Sequence, residues 1–233
     1  MLKKEIRVII EKSKKWGWVL EPDAQKIFTL CGFKTPQYAV AAEASEAVDI
    51  ARRIGYPVVA KVVSPAILHK SDVRGVIVGI KNDLSLKKTL ETFRRLEGFT
   101  GMLIAETVRG VELIIGSKND PQFGPMILLG IGGIGVEIYK DVALRMAPLT
   151  TRDADNMIRE LAAGRVLRGY RGADPVNITA LCKTLVSFSR LMMEWRDFME
   201  SVDLNPVMCN SRSCIIADAR ILLSNPGNKG KVV

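Results

Sequence analysis

The single histidine of this chain, His69, lies in Ser64-Pro65-Ala66-Ile67-Leu68-His69-Lys70-Ser71-Asp72-Val73-Arg74-Gly75. Imidazole is the side chain best suited to gain and lose a proton or a phosphoryl group near neutral pH. Cations and small polar residues flank it, as in a loop rather than on an apolar face. A surface or hydrogen-bonded core histidine is the plainer reading. If the chain does covalent histidine chemistry, however, it does so here. Lys61 sits inside the apolar run Pro57-Val58-Val59-Ala60-Lys61-Val62-Val63. Burying an ammonium is costly unless an anion meets it. Lys61 is therefore either an edge lysine reaching solvent or a cation aimed into a cleft that holds phosphate oxygens.

Two more groups of residues could carry chemistry. Glu106 and Glu112 flank Thr107-Val108-Arg109-Gly110. A strand entering such a turn presents backbone N–H and C=O groups that suit an adenine edge, and a nearby carboxylate suits ribose hydroxyls. Asp203-Leu204-Asn205-Pro206 is followed by Asp218. An amide oxygen and a carboxylate on adjacent strands suit Mg²⁺, which takes hard oxygen ligands and shares them with phosphates. Asn-Pro as a turn opener explains the same residues equally well. Gly130-Ile131-Gly132-Gly133-Ile134-Gly135 fits G-x-G-x-x-G, but Val136 to Tyr139 alternates like a strand. A dinucleotide fingerprint needs a helix there, so the run reads as a glycine-rich turn whose bare backbone could approach phosphate.

The elements that must position these residues follow from periodicity. Residues 3–16 read as a basic amphipathic helix. A second helix starts at Pro22, carries Ala24, Ile27, Phe28 and Cys31, and stops at Gly32. From residue 37 the order is strand (37–41), helix capped by Ser45, strand (57–63), strand (76–80), helix opened by Asn82-Asp83, strand (102–108). That is an α+β lobe with a four-stranded sheet and two helices on one face. Beyond it, strands are expected at 111–117 and 126–130, joined by Lys118-Asn119-Asp120-Pro121. Helices are expected at 153–163 and 178–198, then a hairpin of 201–208 and 213–218, and a turn-rich tail.

Composition narrows the classes. With 233 residues and 48% hydrophobic content, the chain can bury a large core. No run approaches the roughly 20 apolar residues of a membrane span, and no apolar signal core follows Met1, so a cytoplasmic location is expected. The net charge of +9 points to an anionic partner. No nucleic-acid-reading motif accompanies it, and the basic N-terminal helix reads as a solvated face. Cys31, Cys182, Cys209 and Cys214 form no C-x-x-C pair and are expected as free thiols, although Cys209 and Cys214 could meet across a turn.

Several motifs in order carry a family resemblance. They are Gly55-Tyr56-Pro57-Val58-Val59-Ala60-Lys61, Ile67-Leu68-His69-Lys70-Ser71-Asp72-Val73, Gly110-Val111-Glu112-Leu113-Ile114-Ile115-Gly116, Asp120-Pro121-Gln122-Phe123-Gly124-Pro125, Lys140-Asp141-Val142-Ala143-Leu144-Arg145-Met146-Ala147-Pro148-Leu149 and Asp203-Leu204-Asn205-Pro206. Together they resemble an ATP-grasp protein, and more closely the β subunit of ADP-forming acetate–CoA ligases. The resemblance implies one ATP-grasp domain over 1–233: N-terminal helices (1–35), a smaller lobe with the histidine loop (36–108), a larger lobe with the metal site (109–225) and a tail (226–233).

It also implies roles. Lys61 would bind nucleotide phosphates. Glu106, with the Thr107 and Val108 backbone, would meet adenine, and Glu112 the ribose. Asn205 and Asp218 would hold Mg²⁺. Arg145 would face the transferring phosphoryl group, Asp203 would orient a phosphohistidine, and His69 would carry phosphate on a mobile loop. The substrate nucleotide would be ATP or ADP. The partner would be an α subunit with the CoA site and its own phosphohistidine, in an α2β2 assembly. The family usually has glycine where Arg74 stands and a larger residue where Gly135 stands. The rival readings are the nucleotide-binding subunit of a succinate–CoA ligase, against which His69 speaks, and a non-catalytic ATP-grasp regulatory module.

Overall fold

The structure is a computed structural model and describes residues 3–132, 141–162, 164–169 and 174–224. Its smaller lobe is an antiparallel sheet of β2 (Tyr38–Ala41), β3 (Val58–Val63), β4 (Val76–Ile80) and β5 (Gly101–Glu106), in the order β2-β5-β3-β4. Helices α3 (Ala44–Ile54) and α4 (Asp83–Phe93) cover one face. Their apolar stripes, including Ala47, Ile50, Ala51, Leu86, Leu90 and Phe93, pack on Val58, Ala60, Val62, Met102 and Ile104. Alternation then sends Val59, Lys61, Val63, Leu103 and Ala105 to the opposite face, since they pair across β3 and β5. That face is also covered, which is why β3 reads as an unbroken apolar run.

The larger lobe is built on a second antiparallel sheet. Its path runs β1 (Trp18–Val19), β11 (Arg220–Leu223), β9 (Met199–Cys209), β6 (Val111–Asp120), β7 (Gly124–Ile131), β8 (Val142–Met146), with β10 (Cys214–Ile216) also paired to β9. Helices α5 (Thr151–Glu160) and α7 (Ile178–Trp195) pack on one face, and a single turn, α6 (Gly164–Leu167), lies between them in the chain. The N-terminal helices α1 (Lys4–Ser13) and α2 (Glu21–Leu30) join this lobe's core through Ile6, Ile9, Ile10, Ile27 and Phe28. No helix among the described residues is long and apolar enough to cross a membrane.

Several sequence expectations need correction. Ser45 does not cap α3; Glu43 holds the N-cap position, without a side-chain bond, and Ser45 lies in the first turn. Asn82 does cap α4, accepting from the Ser85 N–H at 2.9 Å. Strand β6 runs through Asp120, so the turn to β7 falls after it rather than at Lys118. Strands β1, β8 and β11 carry too short or too polar a pattern to stand out in sequence. The expected strand over Val136 to Tyr139, the glycines 133 and 135, and the tail lie outside the described residues.

Asn205-Pro206 opens no turn. It lies inside β9, where the pairing with β6 shifts register between Leu113 and Ile115. Proline is tolerated in a strand at such an irregularity, and Asn205 is left exposed toward the smaller lobe. Cys209 and Cys214 stand opposite each other across β9 and β10 and form a disulfide. The expectation of four free thiols therefore holds only for Cys31 and Cys182. The antiparallel register is what brings the other two together.

Candidate functional site

Lys61 enters the space between the lobes almost wholly buried, 6% exposed. Its ammonium donates to Glu21 Oε1 at 2.5 Å, to the Ala217 carbonyl at 2.8 Å and to Asp218 Oδ2 at 3.0 Å. The anion that burial demands is thus supplied by two carboxylates of the larger lobe. At about 3 Å and an effective dielectric of about 20, each pair gains ~5 kcal/mol of Coulomb energy. Two such pairs offset the several kcal/mol of desolvation per ion. Burial acts to lower the Lys61 pKa, but Glu21 and Asp218 outweigh it and the net shift is upward. Asp218 mirrors this: burial acts to raise it, while Lys61 and Lys70 hold it below the usual carboxylate range.

Lys70, the residue after the histidine, completes the cluster. Its Nζ lies 2.5 Å from Glu21 Oε2 and 3.3 Å from Asp218 Oδ2. Two ammoniums and two carboxylates therefore balance in one largely buried group.

His69 itself is exposed. Its ring meets Arg220, whose Nη1 lies 3.2 Å from Nδ1 and 3.4 Å from Nε2. Arg220 Nη2 donates to Asp203 Oδ2 at 3.0 Å. The two are opposed in register, Arg220 on β11 and Asp203 on β9. Asp203 is thus linked to the imidazole through a guanidinium. Burial raises the Asp203 pKa, against the pull of Arg220.

Two cavities meet here. One, of about 200 Å³, is lined by His69, Lys70, Glu21, Asp203, Arg220 and Trp18 among others. The other, of about 220 Å³, takes Lys61, Glu106, Thr107, Val108 and Glu112 into its wall. Its apolar part comes from Val59, Val78, Ala105 and Met208. Asn205, Asp218 and Ser71 line both. The second cavity has the composition of a site for a flat ring with polar appendages: an apolar slot, the end of β5 running into Thr107 and Val108, and a carboxylate. Gly132 closes approach to Glu112: a Cβ there would stand 3.0 Å from the Glu112 backbone and Cβ.

Nine of the ten residues singled out in the sequence are gathered at these cavities. Arg145 is not. It pairs with Ile127 across β8 and β7, and Ile127 is buried in the core under α5 and α7. Arg145 therefore points to the helix-covered face of the sheet, where it forms an ion pair with Glu160. Val142, Leu144 and Met146 alternate to the opposite face and are exposed. Arg145→Ala is expected to leave nucleotide affinity within about twofold by calorimetry, and to cost no more than about 1 kcal/mol for a part-exposed pair. A tenfold loss of affinity would show that Arg145 reaches the cleft.

Three residues of the site escaped the sequence reading. Arg220 is separated by one residue from Asp218, a strand alternation that could have signalled it. Lys70 was visible only as a flanking cation. Glu21 looks like an ordinary acidic residue in the first turn of a helix, and nothing local marks it for burial.

Asn205 and Asp218 offer an amide oxygen and a carboxylate on the wall that both cavities share. No group of three or more His, Cys, Asp or Glu side chains suited to a metal occurs among the described residues. Two protein oxygens with phosphate oxygens and water fit the way Mg²⁺ is held. A cation on Asp218 beside two ammoniums is tolerable only when polyphosphate arrives with it.

A cleft between two antiparallel sheets, with lysine from one and oxygen ligands from the other, defines a nucleotide-grasping class of protein. A profile of the ATP-grasp domain family matches residues 11–223, and the chain belongs to that family, in the branch that holds the β subunits of ADP-forming acetate–CoA ligases. It is 43% identical over 226 residues to the β subunit of acetate–CoA ligase (ADP-forming) I of Pyrococcus furiosus, covering 93% of this chain and 97% of that one. It is 40% identical to the ADP-forming 4-hydroxybutyrate–CoA ligase of Nitrosopumilus maritimus, covering 90% of this chain but 31% of that longer protein. Among solved structures it is similar to acetyl-coenzyme A synthetase 1 of Candidatus Korarchaeum cryptofilum, at 37% identity and a TM-score of 0.81, over 94% of this chain and 100% of that one. That structure holds coenzyme A and Mg-AMPPCP, with its phosphohistidine segment pointing towards the nucleotide-binding site.

Proposed function

We propose that this chain is the nucleotide-binding β subunit of an ADP-forming acetate–CoA ligase, working with an α subunit in an α2β2 assembly. The observation that carries the reading is the shared wall of Asn205 and Asp218. It sets the cavity of the only histidine against a cavity suited to a nucleotide.

In this reading the phosphoryl group reaches His69 from a histidine of the α subunit. An imidazole nitrogen forms the new N–P bond as the donor's N–P bond breaks. A β-phosphate oxygen of ADP then takes the phosphoryl group, and the His69 N–P bond breaks in turn, leaving ATP. Two transfers through imidazole split a long path into short ones.

The protein's contribution is positioning and charge. The Arg220 guanidinium, held by Asp203, is placed to grip phosphoryl oxygens on His69. Lys61 faces the nucleotide phosphates. Glu106 with the Thr107 and Val108 backbone meets adenine, and Glu112 the ribose. Asn205 and Asp218 would hold Mg²⁺, which supplies charge neutralisation to the phosphates when bound. Relatives named for different acids, acetate and 4-hydroxybutyrate, fit an arrangement in which acid selection lies outside this chain.

The test mixes the chain with an α subunit, acetyl-CoA, phosphate and ADP. ATP should form only when both subunits and acetyl-CoA are present. A complex that assembles and binds nucleotide without turnover would favour a regulatory module instead. Turnover with succinyl-CoA but not acetyl-CoA would favour the succinate ligase.

A further inference from the structure

Among the described residues, three side chains of the histidine loop make ties that its own backbone does not. Ile67, 8% exposed, packs into the smaller lobe's own core. His69 touches Arg220. Lys70 makes the loop's charged tie among the described residues, with its side chain 15% exposed between Glu21 and Asp218. Ser71, Asp72, Val73 and Arg74 are exposed. Arg74 adopts φ of +53°, a left-handed conformation that favours glycine.

The Lys70 backbone is fixed as firmly as its side chain. Its carbonyl accepts from the Gly75 N–H at 2.7 Å. A Cβ on Gly75 would stand 2.5 Å from Val62 Cγ1 and 3.0 Å from that carbonyl, so the approach needs glycine. The end of the loop thus turns tightly on β3, and Lys70 pins it to the larger lobe beside the His69–Arg220 contact.

Glu21 and Asp218 differ as anchors. Glu21 is 5% exposed, and among the described residues its carboxylate forms ion pairs with the Lys61 and Lys70 ammoniums. Asp218 is shared: it holds Lys70, holds Lys61 and is one of the two oxygens offered to a divalent cation. Lys61 is rooted in a strand and keeps Glu21 and the Ala217 carbonyl if Asp218 is taken. Lys70 stands on a loop and can leave.

We propose that Lys70, anchored by Glu21, is the positioning residue that parks the His69 loop on the larger lobe, and that a divalent cation arriving on Asp218 with nucleotide weakens this anchor and frees the loop. This rests on the nucleotide reading above and adds to it a reason for the histidine to move when its acceptor is in place. The order of events is built into the shared carboxylate: Lys61 and Lys70 already meet at Asp218, and a divalent cation there would repel both ammoniums, so cation and Lys70 compete for it.

Hydrogen–deuterium exchange on the full chain tests this without turnover. The reporters are the amides of Asp72, Arg74 and Gly75, bonded to the carbonyls of His69, Ser71 and Lys70. Mg²⁺ with the non-hydrolysable analogue AMPPCP should speed exchange of the 66–75 segment about tenfold, and AMPPCP with EDTA should not. Lys70→Met should exchange fast without ligand and gain little from it, and Lys70→Arg should restore the slow state. Equal acceleration with and without Mg²⁺, or slow exchange in Lys70→Met, overturns the proposal. Calorimetry on the same samples separates the two readings. Binding of Mg-AMPPCP with unchanged loop exchange defeats the parking role alone, whereas no binding defeats the nucleotide reading and this proposal with it.

Discussion

Replacing His69 with alanine lowers ATP formation by the assembled ligase by at least about 10³-fold, the scale expected when a covalent nucleophile is removed. The loss comes without unfolding. His69 is exposed, and its side-chain polar contacts are with Arg220 alone among the described residues. Exposed substitutions of this kind shift stability by about 0.5 kcal/mol or less. Nucleotide affinity should also hold within about twofold, because the cavity that takes Lys61, Glu106 and Glu112 does not include His69. The comparison is a steady-state rate with the α subunit, set beside a melting curve and a nucleotide titration of the same variant. A variant that keeps more than a tenth of the rate would remove His69 from the reaction path.

The second large effect is on stability. Glu21→Ala should cost about 3–5 kcal/mol, because it leaves a buried ammonium without one of its two carboxylates. Lys61 is 6% exposed and cannot turn to water. Asp218 would then face two ammoniums, and Lys70 would lose the nearer of its partners. Urea unfolding measures this as a drop in midpoint with the slope unchanged. Glu21→Gln retains volume and an acceptor and should cost less. A loss below about 1 kcal/mol for Glu21→Ala would mean that Lys61 is satisfied by Asp218 and the Ala217 carbonyl alone.

Sequence legibility followed the range of the interactions. The smaller lobe's pattern was readable because its helices and strands carry local signals: Leu86, Leu90 and Phe93 mark α4, and short apolar runs mark β3 and β5. The site residues of that lobe inherited the clarity, since a lysine inside an apolar strand is locally odd. The larger sheet was harder. Strands β1 and β11 are two and four residues long and gain meaning only by pairing with each other and with β9. Asn205-Pro206 could be read as a turn opener as readily as a cation ligand within the strand expected over 201–208, because its setting depends on a register shift against β6, about 90 residues earlier in the chain.

The site shows the same division. Lys61 announces itself by type and setting, and Asn205 and Asp218 are drawn into the site by the family resemblance. Glu21 does not, because its burial is decided by α2 packing against strands nearly 200 residues away. Arg145 misled in the other direction. Its motif placed it in the right stretch of chain, but one residue of strand alternation decides which face it serves, and the pairing with Ile127 gives it to the helices. The Cys209–Cys214 pair likewise needed the β9–β10 register, which five residues of separation suggest but do not require.

The central claim is that phosphate passes through His69. Its most direct measurement is to incubate the chain with an α subunit, acetyl-CoA and radiolabelled phosphate without ADP, and to map acid-labile, base-stable label by peptide. Label should appear on the peptide that contains His69, and adding Mg²⁺ and ADP should discharge it into ATP. An active complex in which this chain never carries label would contradict the relay.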